Sequence, residues 1–121
     1  DRLEASRWRL DIEAMPEESA AAVATFLATE SVLVERMMKK GLREFDCRAA
    51  VVSLSSSPRE QGSSLDLVLR HGVPSVRPDD VLRGLAAVAG LEAGRAPLLT
   101  RLAQGPLEQD GSVGDPLTTS T

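Results

Sequence analysis

The chain has 121 residues, which is enough for one domain with a buried core. No apolar run is long enough to span a membrane, and we predict a cytoplasmic protein. Its net charge of −4 argues against a polycation that coats nucleic acid indiscriminately. The only cysteine is Cys47, and one cysteine can form neither an intramolecular disulfide nor an iron–sulfur or zinc site.

The first predicted elements are a strand and a helix. Residues 7–14 alternate strictly between apolar and polar side chains, which predicts a strand with one face in water. Pro16 and the carboxylates of Glu17 and Glu18 favour a helix start, and we predict a helix that ends near Thr29. Its predicted inner stripe is Ala20, Val23, Ala24 and Leu27, with Phe26 at the edge.

The middle of the chain is less regular. Residues 32–38 predict a second strand, and residues 39–43 predict a turn in which Gly41 has a positive φ. Residues 46–53 fit either a short helix or the start of a strand. The Ser-, Gly- and Pro-rich residues 55–64 predict a mobile loop.

The last third repeats the pattern of strand and helix. Residues 65–70 alternate and predict a third strand, and Pro78 marks the start of a helix that Gly90 ends. Residues 97–103 could form a last edge strand. We predict a single domain over residues 1–103 and a disordered tail over residues 104–121, where the sequence is polar and without periodicity.

This order of elements predicts an α+β fold. Two helices on one face of an antiparallel sheet satisfy the layer rules, and the order matches a ferredoxin-like split βαβ arrangement. In that arrangement Arg7 and Arg9 would lie on the open face of the sheet.

A basic turn is the strongest candidate for a binding site. Cations clustered on one loop can contact phosphates, and arginine can do so with two parallel hydrogen bonds. The candidates for binding RNA or another anion are Lys39, Lys40, Arg43, Arg48 and Arg77. The alternative is a solvated turn whose charges pair with neighbouring acids, and on an extended segment Asp46 and Arg48 could form a structural ion pair.

Other residues with chemical potential have simpler interpretations. His71 is the only histidine and has no serine or cysteine nucleophile at a recognisable spacing, so capping or packing is favoured over catalysis. Cys47 is interpreted as a small, partly buried residue. Asp79 and Asp80 fit the first turn of a helix, where carboxylates cap and favour the helix dipole. We therefore expect no catalytic residues and no catalytic activity in this chain alone.

Several short segments occur in an order found in a known family. They are Val34-Glu35-Arg36, Lys39-Lys40-Gly41-Leu42-Arg43-Glu44, Asp46-Cys47-Arg48 and Val76-Arg77-Pro78-Asp79-Asp80-Val81-Leu82. Together they resemble the C-terminal half of the radical-SAM-associated (radical-SAM-linked) bacterial proteins, a family of unknown function. Residues 98–105 are similar to its actinobacterial branch. The resemblance implies that this chain is the C-terminal half of a larger family domain and that a radical SAM protein is its partner.

The same resemblance implies where a cofactor would be. The iron–sulfur cluster and SAM are expected in the partner, and no cofactor or metal is expected in this chain. Genes of the family often lie near genes for RNA processing, which favours a role in RNA modification. We expect an accessory domain that binds RNA or positions a substrate for the partner enzyme. The alternative is a protein-interaction module, whose open sheet face or Met37 and Met38 would dock on the radical SAM partner or on the N-terminal half of the family domain.

Overall fold

The computed structural model describes residues 4–72 and 75–114, and it contains two helices and six strands. In chain order they are β1 (Ala5–Ile12), α1 (Pro16–Ala28), β2 (Leu33–Met38), β3 (Gly41–Asp46), β4 (Val51–Arg59), β5 (Gly62–Arg70), α2 (Pro78–Ala89) and β6 (Leu98–Gly105). One short 3-10 turn, Arg48–Ala50, connects β3 to β4. Residues 46–53, which fitted either a helix or a strand in the sequence, therefore form this turn and the start of β4.

Four strands form one antiparallel sheet in the order β4-β5-β1-β6. With α1 and α2 these strands follow the ferredoxin-like order βαββαβ, so the predicted fold class is confirmed. The last strand, β6, is an edge strand as predicted. The strands β2 and β3 form a separate hairpin, inserted between α1 and β4.

Alternation along the central strands sets the core. Leu10 of β1 lies opposite Leu65 of β5, and both are fully buried. The neighbouring Arg9 lies opposite Asp66 on the other face, where Arg7 and Arg9 are exposed as predicted. Because successive side chains of a strand point to opposite faces, this one pairing shows on which face of the sheet each side chain of β1 and β5 lies.

The predicted mobile loop over residues 55–64 is wrong, because these residues form the β4–β5 hairpin. Strand β4, not residues 32–38, is therefore the second strand of the ferredoxin-like order. Its serines are compatible with a strand because β4 is at the sheet edge, where polar side chains and a proline such as Pro58 are tolerated. Gly62, with a φ of 103°, supplies the left-handed residue that closes the hairpin turn.

The β2–β3 hairpin packs its base against α2. Val32, Val34 and Cys47 are buried there. Gly84 of α2 permits this approach, since a Cβ at Gly84 would lie 2.8 Å from Val32 Cγ1 and 2.9 Å from Cys47 Sγ. The turn at residues 39–40 and the positive φ of Gly41, 116°, are confirmed, although the sequence did not predict β3 as a strand.

Both helices have the predicted bounds within one or two residues. The buried side of α2 includes Val81, Leu82 and Leu85, and Gly90 ends it in the left-handed conformation with a φ of 67°. The inner side of α1 was predicted correctly only at Val23: its buried residues are Ser19, Ala22, Val23 and Phe26, whereas Ala20, Ala24 and Leu27 are exposed. Phe26 occupies the centre because it is the largest apolar side chain of the helix. Neither helix of the described residues is long and apolar enough to cross a membrane.

Regular pairing continues past the predicted start of the tail. Gln104 and Gly105 complete β6, and Leu107 forms a β-bridge with Val113. The Ser112 hydroxyl and backbone N–H donate hydrogen bonds to Asp110 and lower the pKa of that carboxyl. The tail predicted from residue 104 therefore begins too early, and residues 115–121 lie outside the described part of the chain.

Candidate anion-binding site

Three of the predicted cations project from the end of the β2–β3 hairpin. Lys39 and Lys40 form its turn, and Arg43 of β3 is exposed and lies opposite Arg36 of β2. We call Lys39, Lys40 and Arg43 the hairpin tip. Within residues 4–72 and 75–114, no carboxylate forms a salt bridge with any of them. The alternative in which this turn neutralises its own charges against Glu44 and Asp46 therefore finds no support in the described contacts.

Arg36 fixes the hairpin to the rest of the molecule. Its Nη1 lies 2.5 Å from Asp80 Oδ2, and its Nη2 donates to the Ser75 carbonyl at 2.9 Å. The guanidinium also stacks 4.9 Å from the centre of the Phe45 ring. Arg36 is thus a structural residue, and it sets the position of the hairpin tip.

Asp80 is fully buried at the first turn of α2. Besides Arg36, its carboxylate accepts hydrogen bonds from the Arg77 backbone N–H at 2.8 Å and from Arg83. A buried carboxylate needs such partners to offset the loss of its hydration. The interpretation of Asp80 as a helix-capping acid is therefore confirmed, and this acid is not available to a ligand.

Arg48, another predicted anion contact, is held by backbone carbonyls. Its guanidinium donates to Val51 O at 3.2 Å and to Leu27 O at 3.4 Å. The predicted ion pair with Asp46 also takes a different form, because the Asp46 carboxylate accepts from the backbone N–H groups of Val32 and Arg48. No salt bridge joins the two side chains, both of which lie in the described part of the chain. The short segment between β3 and β4 turns too sharply for residues 46 and 48 to share a strand face.

The fifth candidate, Arg77, lies in a cleft of about 320 Å³ that the sequence did not predict. The floor of this cleft is Trp8 and Leu69, from the helix-facing side of the sheet. Its polar lining consists of Ser6, His71, Ser75, Arg77, Arg101 and Gln104. We call it the arginine cleft.

Hydrogen bonds hold several groups of the arginine cleft in place. The Ser6 hydroxyl, in a residue only 5% exposed, lies 2.7 Å from His71 Nε2. Arg101 donates to Gln104 Oε1 at 2.7 Å and lies over the Trp8 ring at 6.0 Å from its centre. Arg101 is therefore oriented by neutral groups, and its positive charge is not cancelled by them.

The electrostatic character of the cleft is positive. No aspartate or glutamate occurs among the described residues that line it. Arg77 and Arg101 form no salt bridge with any residue in the described ranges. Two arginines with a hydroxyl and an imidazole form a set of groups that matches phosphate oxygens.

The hairpin tip and the arginine cleft lie at the same end of the molecule. Arg36 of the hairpin bonds to the carbonyl of Ser75, which lines the cleft. Lys39 follows Arg36 by three residues, about 10 Å along a strand. The N-terminus of α2, where Arg77 lies, is at this end as well. Its positive helix dipole adds to the charge of the side chains.

On the open face of the sheet, by contrast, arginines form ion pairs with acids. Arg7 forms an ion pair with Asp66 at 2.5 Å, and Arg9 lies 3.6 Å from Asp11. The hydrogen bond with Asp66 raises the pKa of Arg7. Sheets of this kind that bind single-stranded RNA stack bases on exposed aromatic side chains, and the three aromatic residues of this chain lie elsewhere. The open face therefore has no stacking platform, and its arginines Arg7 and Arg9 are paired with acids.

Sequence reasoning missed the Ser6–His71 pair because the two residues are 65 positions apart. They meet because β1 and β5 pair antiparallel, with Ser6 opposite Leu69. The one available signal was the alternation of residues 7–14 and 65–70, which predicts two strands. If these two strands pair antiparallel, the start of β1 lies beside the end of β5. No spacing in the sequence indicates a serine for His71, and it is the fold that brings Ser6 to it; a role of His71 in catalysis stays untested.

Comparison with known protein families gives a match. A family model described as "Uncharacterized protein conserved in bacteria (DUF2344)" matches residues 1–78. The matched segment runs through all of β1 to β5 and ends at the first residue of α2. No curated protein and no solved structure matches the chain.

Proposed function

The chain belongs to this family of uncharacterized proteins conserved in bacteria, and we propose that it is an accessory domain that binds RNA for a radical SAM modifying enzyme. The observation that carries the proposal is the set of cations at one end of the molecule. The hairpin with Lys39, Lys40 and Arg43 is joined through Arg36 to Ser75, a residue of the cleft that Arg77 and Arg101 line. Phosphate contacts supply most of the sequence-independent affinity for nucleic acid.

The local charge matters more than the net charge here. With a net charge of −4, the chain repels RNA from most of its surface and attracts it at this one end. The cations project from two separate elements, the hairpin and the sheet end beside α2. An RNA strand that bridged them would be held in one orientation, which is what a partner enzyme needs from an accessory domain.

The radical SAM partner is inferred from the resemblance of the motifs around residues 34–48 and 76–82. The partner would hold the iron–sulfur cluster and SAM, because the single cysteine of this chain could not ligate a cluster. Cys47 is also fully buried at the hairpin base, away from any substrate. The role of this chain would then be to bind and orient the RNA.

Salt dependence tests the proposal. We expect a single-stranded RNA of about 12 nucleotides to bind the full chain with an affinity that falls steeply with salt. Five phosphate contacts would give a slope of log affinity against log salt of about −3.5. Lys40→Ala or Arg43→Ala should each weaken binding about fivefold at about 0.1 M salt, equally for every RNA sequence. Fluorescence anisotropy of labelled RNA measures both quantities.

Arg95→Ala is the matched control. Arg95 is an exposed arginine after α2, and its backbone N–H bonds to Glu13 beyond the end of β1, at the opposite end of the sheet. Its removal lowers the net charge by the same amount and should leave RNA affinity within about a factor of two. A chain that binds no RNA at low salt, or an Arg95 variant that loses as much affinity as the hairpin variants, would contradict the proposal.

A second function, docking on a partner protein, is favoured by the outer face of the β2–β3 hairpin. Leu33, Met37 and Leu42 are 54%, 71% and 58% exposed on that face. Apolar side chains grouped on an exposed hairpin are typical of protein-interaction surfaces. Co-purification of a radical SAM protein that survives nuclease treatment, with no RNA affinity in the isolated chain, would favour this function over RNA binding.

A further inference from the structure

We propose that the arginine cleft binds a terminal phosphomonoester of RNA, with Arg77 and Arg101 holding the phosphate and the Ser6 hydroxyl, oriented by His71, completing its hydrogen bonds. This inference rests on the proposed function and specifies the part of the RNA that the cleft recognises. It assigns different roles to the two groups of cations: the hairpin tip contacts the RNA backbone, and the cleft contacts the end of the chain.

The charges of the cleft support a monoester over a diester. Arg77 and Arg101 each have one positive charge without a carboxylate partner in the described part of the chain. A phosphomonoester has a charge between about −1.5 and −2 near neutral pH, whereas an internal phosphodiester has −1. Two uncancelled guanidinium groups therefore match the terminal group more closely.

The Ser6–His71 pair of the cleft is built into the fold. Ser6 is only 5% exposed, and its hydroxyl is positioned by the hydrogen bond with His71 Nε2. When His71 Nε2 donates its hydrogen to the Ser6 oxygen, the Ser6 hydroxyl can donate its own hydrogen to a phosphate oxygen. A serine and a histidine held together beside two arginines form a preorganised set, which reduces the entropy lost on binding.

The size of the cleft fits one nucleotide. Its volume, about 320 Å³, is at the lower end of the range of small-molecule sites. Trp8 forms part of its floor and already receives the Arg101 guanidinium on its ring. The indole thus holds the Arg101 guanidinium in the cleft, where it can contact the phosphate.

The test compares three forms of one RNA hexanucleotide: with a 5′-phosphate, with a 3′-phosphate, and with hydroxyls at both ends. We expect one phosphorylated form to bind about tenfold more tightly than the hydroxyl form. Arg77→Ala and Arg101→Ala should each remove that difference and leave a folded protein with an unchanged far-ultraviolet circular dichroism spectrum. Lys40→Ala should weaken all three forms by the same factor, so the difference should persist.

Equal affinity of the wild-type chain for all three RNA forms would overturn the proposal and leave RNA binding intact. If no RNA binds, the proposed function fails, and nucleoside 5′- and 3′-monophosphates test the cleft by themselves. Trp8 is the only tryptophan, so its fluorescence reports binding in the cleft directly. Fluorescence that does not respond to millimolar nucleoside monophosphate would then overturn the phosphomonoester site as well. A response that Arg77→Ala and Arg101→Ala abolish would support it.

Discussion

Cys47 illustrates how the surroundings of a single residue decide its chemistry. Its thiol has no exposed surface and packs beside Gly84 of α2. Burial, followed by the negative charges of Asp46 and Asp80, raises the pKa of the thiol from 9.0 to about 12. The thiolate is the reactive form of cysteine, so this residue is unreactive in the folded chain.

The raised pKa of Cys47 predicts a loss of stability in alkaline solution. Above about pH 9 the unfolded chain loses the thiol proton, whereas the folded chain retains it up to about pH 12. The folded state then binds more protons, and the free energy of unfolding should fall by about 1.4 kcal/mol per pH unit in this range. Urea unfolding at pH 8, 9 and 10 measures this slope.

Cys47→Ala provides the comparison for that slope. The variant has a lower stability at every pH because it creates a cavity, but it lacks the thiol and should lose less stability between pH 9 and pH 10 than the wild-type chain. Parallel pH profiles for the two proteins would show that the Cys47 thiol ionises equally in both states.

For single residues, the sequence did not show which arginines are available to a ligand, as Arg48 and Arg101 illustrate. The sequence indicated Arg48 as a candidate because of the cations near it, yet its guanidinium donates to two backbone carbonyls. Arg101 was not a candidate, because its contact with Trp8 arises only from the pairing of β1 with β6. Sequence proximity identifies where charge is concentrated, whereas long-range pairing decides which charges are available.

At the scale of elements, the position of the hairpin tip depends on one buried acid. Asp80 of α2 accepts hydrogen bonds from Arg36 of the hairpin and from Arg83 of its own helix. The Arg36 side chain is itself only 15% exposed. Removing the charge of Asp80 would therefore leave a largely buried guanidinium without a counter-ion.

We predict that Asp80→Asn lowers the free energy of unfolding by about 3 kcal/mol, the lower end of the cost of breaking a buried ion pair. The matched control is Asp79→Asn, an exposed acid in the same helical turn, which should cost less than about 1 kcal/mol. Urea unfolding measures both values. Equal losses in the two variants would mean that the helix dipole, and not the contact with Arg36, accounts for the effect of Asp80.

The helices and the central strands could be predicted because their own residues contain the signal. Pro78 and Gly90 bracket α2, and the alternation of residues 7–12 and 65–70 gives β1 and β5. Strand β4 could not be predicted, since its serines and Pro58 are typical of loops and its pairing comes from β5. The hairpin β2–β3 was only half predicted for a similar reason: β3 is polar and mostly exposed.

At the scale of the whole molecule, two surfaces of the same hairpin favour different partners. One face has Arg36 and Arg43 and turns toward α2 and the arginine cleft. The other face has Leu33, Met37 and Leu42 in an exposed position, with Glu35 and Glu44 between them. Because adjacent residues of a strand point to opposite faces, RNA on the first face would leave the second open to a protein. The two proposed functions are therefore compatible in one molecule.

This arrangement predicts that contacts with RNA and with a protein can be separated by mutation. Met37→Asp places a charge beside Leu42 on this outer face and should abolish nuclease-resistant co-purification of a radical SAM protein identified by mass spectrometry. Its affinity for RNA should fall by less than about threefold, because the new charge lies on the far side of the hairpin. Lys40→Ala should have the opposite effect, weakening RNA binding while the partner is retained.

Leu102→Asp, at a site 45% exposed on β6, controls for a general effect of replacing a surface apolar residue. Retention of the partner by Met37→Asp would exclude the outer face of the hairpin as its docking surface.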